Sequence, residues 1–222
     1  MSATREKIVG RRDVLKSLSA LVLAMSGSLP LGGWAKAAAA SAGKLLPGKV
    51  ALKRLTERPP NYETPLEYFR SVLTPNEAFF VRYHHSSIPT IAANDYVLEV
   101  LGTGLTQPLQ LGLEQLRNEF PATEVIAVCQ CSGNRRGLMS PPVPGVQWGH
   151  GAMGNARWRG VRLADVLKRA GLKPSALEIG FDGADAPPLE GTPDFVKSLP
   201  PYKALHPDTL LAYEMNGEPL PV

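Results

Sequence analysis

The chain is expected to fold as a mixed α+β domain. Three observations lead there: apolar segments with strand and helix periods alternate irregularly, proline and glycine each occur 21 times, and the sequence contains no internal repeat or low-complexity tract. A regular doubly wound sheet would alternate more steadily and connect its elements with shorter loops. A chain of 222 residues can close one good-sized core, with or without an appendage.

The first forty residues stand apart from that domain. Arg11 and Arg12 precede a modest apolar stretch over residues 14–31, interrupted by Lys16, several serines and Pro30, and the segment ends in the alanines of residues 37–40. The stretch is too broken to span a hydrocarbon core about 30 Å thick, and small residues suit cleavage, so residues 1–40 are expected to be an export signal. The letters R-R-D-V-L-K resemble the twin-arginine type, which exports folded proteins and therefore suits one loaded with a cofactor in the cytoplasm. The rest of the chain carries 18 Lys+Arg against 18 Asp+Glu, so the basic balance belongs to the signal and nucleic-acid binding loses its main support.

From 41 to about 60 no period is sustained, and a linker or arm is expected, with the domain proper over 61–222. A short helix is expected over residues 65–73, with Thr64 as its cap and Pro65 at its first position. "AFFVRYHH" has the aromatic and β-branched content of a strand. "DYVLEVLG" alternates as a half-buried strand, and "GLEQLRNEFP" is one-sided like a helix closed by Pro121. "TEVIAVCQC" reads as a buried strand. "VRLADVLKRAGLKP" is the clearest helix, with Leu163, Val166, Leu167 and Ala170 on one face and Gly171 as its stop. "ALEIGFDGAD" reads as another strand entering a loop. Asn216-Gly217 after "LLAYEM" is a strong hairpin signal, but the returning E-P-L-P-V is short and twice broken by proline. The sequence is therefore expected to be incomplete at this end.

Chemistry concentrates in "VCQCSGNRRG". Cys129 and Cys131 are too close for an ordinary disulfide along an extended strand. Cys129 reads as strand packing. Cys131 lies where the strand opens into S-G-N, near Arg135 and Arg136, and nearby cations favour the thiolate that binds soft metals or attacks substrates. The histidines are His84, His85, His150 and His206, and their spacing matches no known zinc pattern. From spacing alone, a nucleophile, a metal thiolate and an inert cysteine all remain open. Arg82, Arg135 and Arg136 offer planar forks suited to a small oxyanion or a phosphate-bearing cofactor.

"FFVRYHHSSIP", "CSGNRR", "GHGAMGNARWRGVRLADVL", "GFDGAD" and "AYEMNGEPLP" occur in the order and spacing of the sulfite oxidase family of molybdenum enzymes, which the chain resembles from about residue 58 to its end. "RPPNYETPLEYFRSVLTPNEAFFVRYH" is most similar to bacterial periplasmic sulfite dehydrogenases. The resemblance implies a sulfite-oxidase-type molybdopterin-binding fold and a molybdenum-pyranopterin cofactor whose single protein ligand is Cys131. It implies Arg82 and Arg136 as sulfite-holding residues and His84 beside the cofactor, with Asp185, Lys197 and Ser198 as pterin or phosphate contacts. The implied reaction is oxygen-atom transfer from sulfite to sulfate.

No haem-attachment motif is present, so electrons are expected to pass to a separate c-type cytochrome in the periplasm. Members of the family continue beyond "AYEMNGEPLP" into further cofactor contacts and a β-sandwich through which full-length relatives form homodimers, and this portion is expected to be missing. Two other readings follow: a periplasmic methionine-sulfoxide reductase of the same superfamily, disfavoured by the arginine pair after Cys131, and a non-catalytic remnant.

Overall fold

The structure, a computed structural model, describes residues 46–86, 88–185, 191 and 195–220. The export signal expected over residues 1–40 lies outside them. The described chain is mixed α+β, as expected, and its strands fall into four small antiparallel sheets.

The first sheet orders β1 (Lys53–Thr56), β2 (Asn61–Glu63) and β3 (Val81–Arg82) side by side. β1 falls inside the segment expected to be an arm, because Lys53 and Arg54 pair with Glu63 and Tyr62 across a tight connection that periodicity cannot register. Between β2 and β3 the expected helix is only a 3-10 turn, Leu66–Arg70. Thr64 does not cap it. Its hydroxyl instead reaches Met153 O at 3.4 Å, so the tertiary partner outcompetes the local one. The strand expected over "AFFVRYHH" shrinks to Val81–Arg82, because Asn76–Ala78 forms a second 3-10 turn and Phe79 turns into a core.

β4 (Val97–Val100) and β5 (Leu109–Gly112) form a hairpin that leads into α1 (Leu113–Glu119). The Gln115 side chain accepts a hydrogen bond from Gly112 N at 3.0 Å, satisfying one of the free amides at the start of the helix. The largest sheet has the order β11-β10-β7-β6, built from β6 (Ala122–Gln130), β7 (Met153–Arg162), β10 (Leu210–Met215) and β11 (Glu218–Pro219). α2 (Leu163–Arg169) follows β7 directly and buries Leu163, Val166 and Leu167, with Ala170 beyond it, as the periodicity predicts. Gly171 ends it at φ +68°, where a side chain would be strained. β8 (Ile179–Phe181) and β9 (Lys197–Leu199) make the fourth sheet, and α3 (Pro201–Ala204) leads back to β10.

The large sheet buries different residues on its two faces. Val161 and Tyr213 meet Leu111, Leu116, Phe120 and Val166 on one side, while Ala156 and Met215 meet Phe79 on the other. Tyr213 and Met215 have the same strand parity. A register shift between Ala212 and Glu214 is what sends them to opposite faces.

β6 is not the buried strand expected from its composition. It is a sheet edge, and Ile126 and Val128 are each 56% exposed. Cys129 beside them is exposed too, which overturns its reading as strand packing. Among the described residues, no helix is long and apolar enough to cross a membrane.

The C-terminal hairpin forms as the Asn-Gly signal predicts, with Asn216 and Gly217 both at positive φ. Asn216 also anchors the turn to the rest of the molecule. Its amide donates to Thr74 O at 2.9 Å and to Asn76 Oδ1 at 2.8 Å, and its Oδ1 accepts from Arg157 N at 3.0 Å. Net values of about 1 kcal/mol per hydrogen bond put the cost of Asn216→Gly, which keeps the backbone conformation, at about 2–3 kcal/mol. Asn216→Ala should cost about 1 kcal/mol more, because alanine resists the left-handed region. Urea unfolding of the two variants checks both the loss and the order.

Candidate functional site

The open end of β6 delivers the chain into a compact turn that presents Cys131. The turn is closed by Asn134 N donating to Cys131 O at 2.9 Å and by Arg136 N donating to Gly133 O at 3.0 Å. Gly133 N points at the Cys131 sulfur at 3.4 Å, so a backbone donor faces the thiol. Arg135 occupies the left-handed region at φ 69°, a conformation a non-glycine residue adopts at a cost of about 1–2 kcal/mol. Its amide is repaid by Gly149 O at 2.7 Å, while its side chain stays exposed. Arg135, which the sequence left without a role, therefore shapes the turn through its backbone.

That geometry turns the Arg136 side chain inward. Its guanidinium lies between two glycines: a Cβ at Gly133 would stand 2.9 Å from Arg136 Nη2, and one at Gly145 would stand 3.0 Å from Arg136 Cζ. Nη1 donates to Val146 O at 3.3 Å, leaving further donors of the fork for a ligand. One short loop thus supplies a soft sulfur donor and a fixed cationic fork.

Residues 149–152 brace this loop from behind. Cys131 N donates to Ala152 O at 2.9 Å, and Ala152 N donates to Asn134 Oδ1 at 3.1 Å. On its other side the same segment is held by β2. Thr64 N donates to Gly151 O at 3.0 Å, and the Glu63 carboxylate accepts from Gly149 N. β2 in turn pairs Asn61 with Arg82 of β3, so one short strand links the Arg82 strand to the Cys131 loop.

Arg82, His84, Asp185 and Lys197 come together in a second cluster. Phe195 is at its centre: Arg82 Cζ lies 5.3 Å and Lys197 Nζ 4.8 Å from the ring centroid, and the His84 ring lies 5.2 Å away. Two cations against one aromatic ring make a positively charged cluster. Asp185 accepts a hydrogen bond from Tyr83 Oη at 2.6 Å and has His85 Nε2 at 3.6 Å. The Tyr83 bond holds its carboxyl below the usual carboxylate range, with His85 and His84 adding to the effect. Burial, and then the same bond, pushes the Tyr83 phenol up to about 12. Asp185 is therefore an ionised acceptor at neutral pH, suited to the N–H donors of a heterocycle, whereas Lys197 suits a phosphate. Ser198 is exposed on β9, paired with Gly180.

Glu63, Tyr83 and Phe195 were not singled out by sequence. Glu63 and Tyr83 sit inside quoted motifs but draw no notice there, and no motif covers Phe195.

Among the described residues no group of three or more His, Cys, Asp and Glu is placed to hold a metal ion. A lone thiol with its own backbone donor fits a metal that arrives with other sulfur ligands on an organic cofactor, and the acceptor and cations of the second cluster fit that cofactor's ring and phosphate.

Comparison with known proteins agrees. Residues 85–222 match the family described as oxidoreductase molybdopterin binding domain. Sulfite oxidase of Gallus gallus is 44% identical over 184 residues, covering 79% of this chain and 39% of that protein. Nitrate reductase [NADH] 1 of Oryza sativa subsp. japonica is 37% identical over 180 residues, covering 77% and 19%. The crystal structure of the sulfane dehydrogenase SoxCD from Paracoccus pantotrophus superposes with a TM-score of 0.64 at 29% identity, over 89% of this chain and 46% of that one. The chain spans about two fifths of the length of the chicken enzyme. A family match across residues 85–222 and 44% identity to a sulfite oxidase over 79% of the chain lead to one conclusion: this chain belongs to the sulfite oxidase family of oxidoreductases with a molybdopterin-binding domain.

Proposed function

We propose that this domain oxidises sulfite to sulfate. The observation that carries the reading is the Arg136 fork held between Gly133 and Gly145 on the loop that presents the Cys131 thiol, which sets an oxyanion clamp beside the metal ligand. Cys131 would hold the molybdenum, with His84, Asp185, Lys197 and Ser198 toward the pterin and its phosphate. When bound, the cofactor supplies the oxygen-atom transfer chemistry. Arg136 and Arg82 bind and orient the sulfite oxygens so that its sulfur lone pair faces the reacting centre.

The overall change takes one water with each sulfite and releases sulfate, two protons and two electrons. Those electrons suit a one-electron carrier, and a periplasmic c-type cytochrome is the acceptor we assign, reached after export through the twin-arginine signal at residues 1–40.

The test is steady-state turnover of chain purified with its molybdenum cofactor. Sulfite-dependent reduction of ferricyanide is the expected result. Nitrate-dependent oxidation of a reduced viologen without sulfite turnover would instead place the domain with the nitrate reductases. Methionine-sulfoxide-dependent viologen oxidation would place it with the reductases that run oxygen transfer in reverse.

A further inference from the structure

Glu63 is a buried carboxylate that sulfite chemistry does not need. It is 3% exposed, in a strand all of whose residues are buried. One oxygen takes Lys53 Nζ at 2.7 Å, and that lysine, its cross-strand neighbour, is 63% exposed at the side chain. The other oxygen accepts from Gly149 N. A carboxylate taken out of water and neutralised by one mostly solvated lysine is a poor source of stability. Its placement therefore points to a geometric task.

The hydrogen bonds around it show that task. Gly149 gives its N–H to Glu63 and takes the Arg135 amide on its carbonyl at 2.7 Å, and three residues on Ala152 O takes the Cys131 amide at 2.9 Å. The segment reaches β2 closely because Gly151 has no side chain; a Cβ there would stand 2.7 Å from Glu63 Cβ. Moving the Glu63 carboxylate moves residues 149–152, and these carry the two backbone anchors of the Cys131 to Arg136 loop.

We infer that Glu63 is a positioning residue: through the Gly149 amide it fixes the Cys131 thiol and the Arg136 fork relative to the strand that bears Arg82. The inference rests on reading Cys131 as the metal ligand. Its test needs neither molybdenum nor sulfite, so its failure is distinct from failure of the proposed function.

The measurement is the iodoacetamide alkylation rate of Cys131 at one pH, in metal-free full chain carrying Cys129→Ala. Glu63→Ala is expected to raise the rate at least fivefold. Glu63→Gln, whose amide oxygen still accepts from Gly149, is expected to return it to within twofold of the parent. Leu167→Ala, which loosens the remote α2 core, is expected to lower the Tm and leave the rate within twofold. A parent-like rate in Glu63→Ala overturns the inference. So does a Glu63→Gln rate equal to that of Glu63→Ala, or a Leu167→Ala rate raised as much as either. If Glu63→Ala does not fold, Glu63→Asp decides. It keeps the charge but reaches Gly149 only by drawing the segment with it, so a rate changed more than threefold supports the inference and an unchanged rate overturns it.

Discussion

Cys131→Ser should leave a folded chain that no longer oxidises sulfite. The side chain is only partly buried, and the loop is held by backbone hydrogen bonds from Cys131, Asn134, Arg135 and Arg136 that a serine leaves in place. The shift in stability should therefore stay within about 1 kcal/mol, the size of one weak side-chain hydrogen bond. The metal is another matter. A serine hydroxyl is a hard donor, whereas a cysteine sulfur is the soft donor that completes a sulfur-rich ligand set. Sulfite-dependent ferricyanide reduction should fall to background in Cys131→Ser and stay near the parental rate in Cys129→Ser, because Cys129 is exposed on the strand and takes no part in the loop. Sulfite oxidation at the parental rate in Cys131→Ser would remove Cys131 from the ligand role.

What the sequence made legible, and what it hid, follows from the range of the interactions involved. α2 and the hairpin at Asn216-Gly217 form where expected, since each is specified within a few residues: an apolar stripe closed by glycine in one case, two residues tolerant of positive φ in the other. β6 was placed correctly and its burial misjudged. A run such as T-E-V-I-A-V has the same composition in a sheet centre and at a sheet edge, and only the pairing order β11-β10-β7-β6 decides which. The short elements near Thr64 and Phe79 went astray because tertiary partners, Met153 O and the Ala156 face of the large sheet, outweigh local preference.

At the site, the loop from Cys131 to Arg136 was visible because its chemistry is contiguous. The Phe195 cluster was not, since it gathers side chains from residues 82, 84, 195 and 197 that meet only in the fold. Glu63 was hidden for the same reason. It acts on an amide 86 residues away.

The loop's second element can be tested without touching a charged residue. Gly145 sits at φ +113°, a conformation side chains avoid, and a Cβ there would stand 3.0 Å from Arg136 Cζ. The guanidinium is the free end of a flexible chain, so in Gly145→Ala it should give way, and the alanine strains the loop backbone at the same point. The charge remains, but the fork leaves its slot. A charge-assisted hydrogen bond is worth about 1.5–3 kcal/mol, and each 1.4 kcal/mol is about tenfold in affinity. The KM for sulfite should therefore rise by about 10- to 100-fold in Gly145→Ala, with kcat changed far less if Arg136 binds the ground state and the transition state alike. Arg136→Lys should fall in the same range, because a lysine keeps the charge and loses the planar fork. Arg136→Ala should exceed both. A Gly145→Ala enzyme with the parental KM would mean that the slot does not set the position of the fork, and a fall in kcat with KM unchanged would move Arg136 from binding sulfite to stabilising the transition state alone.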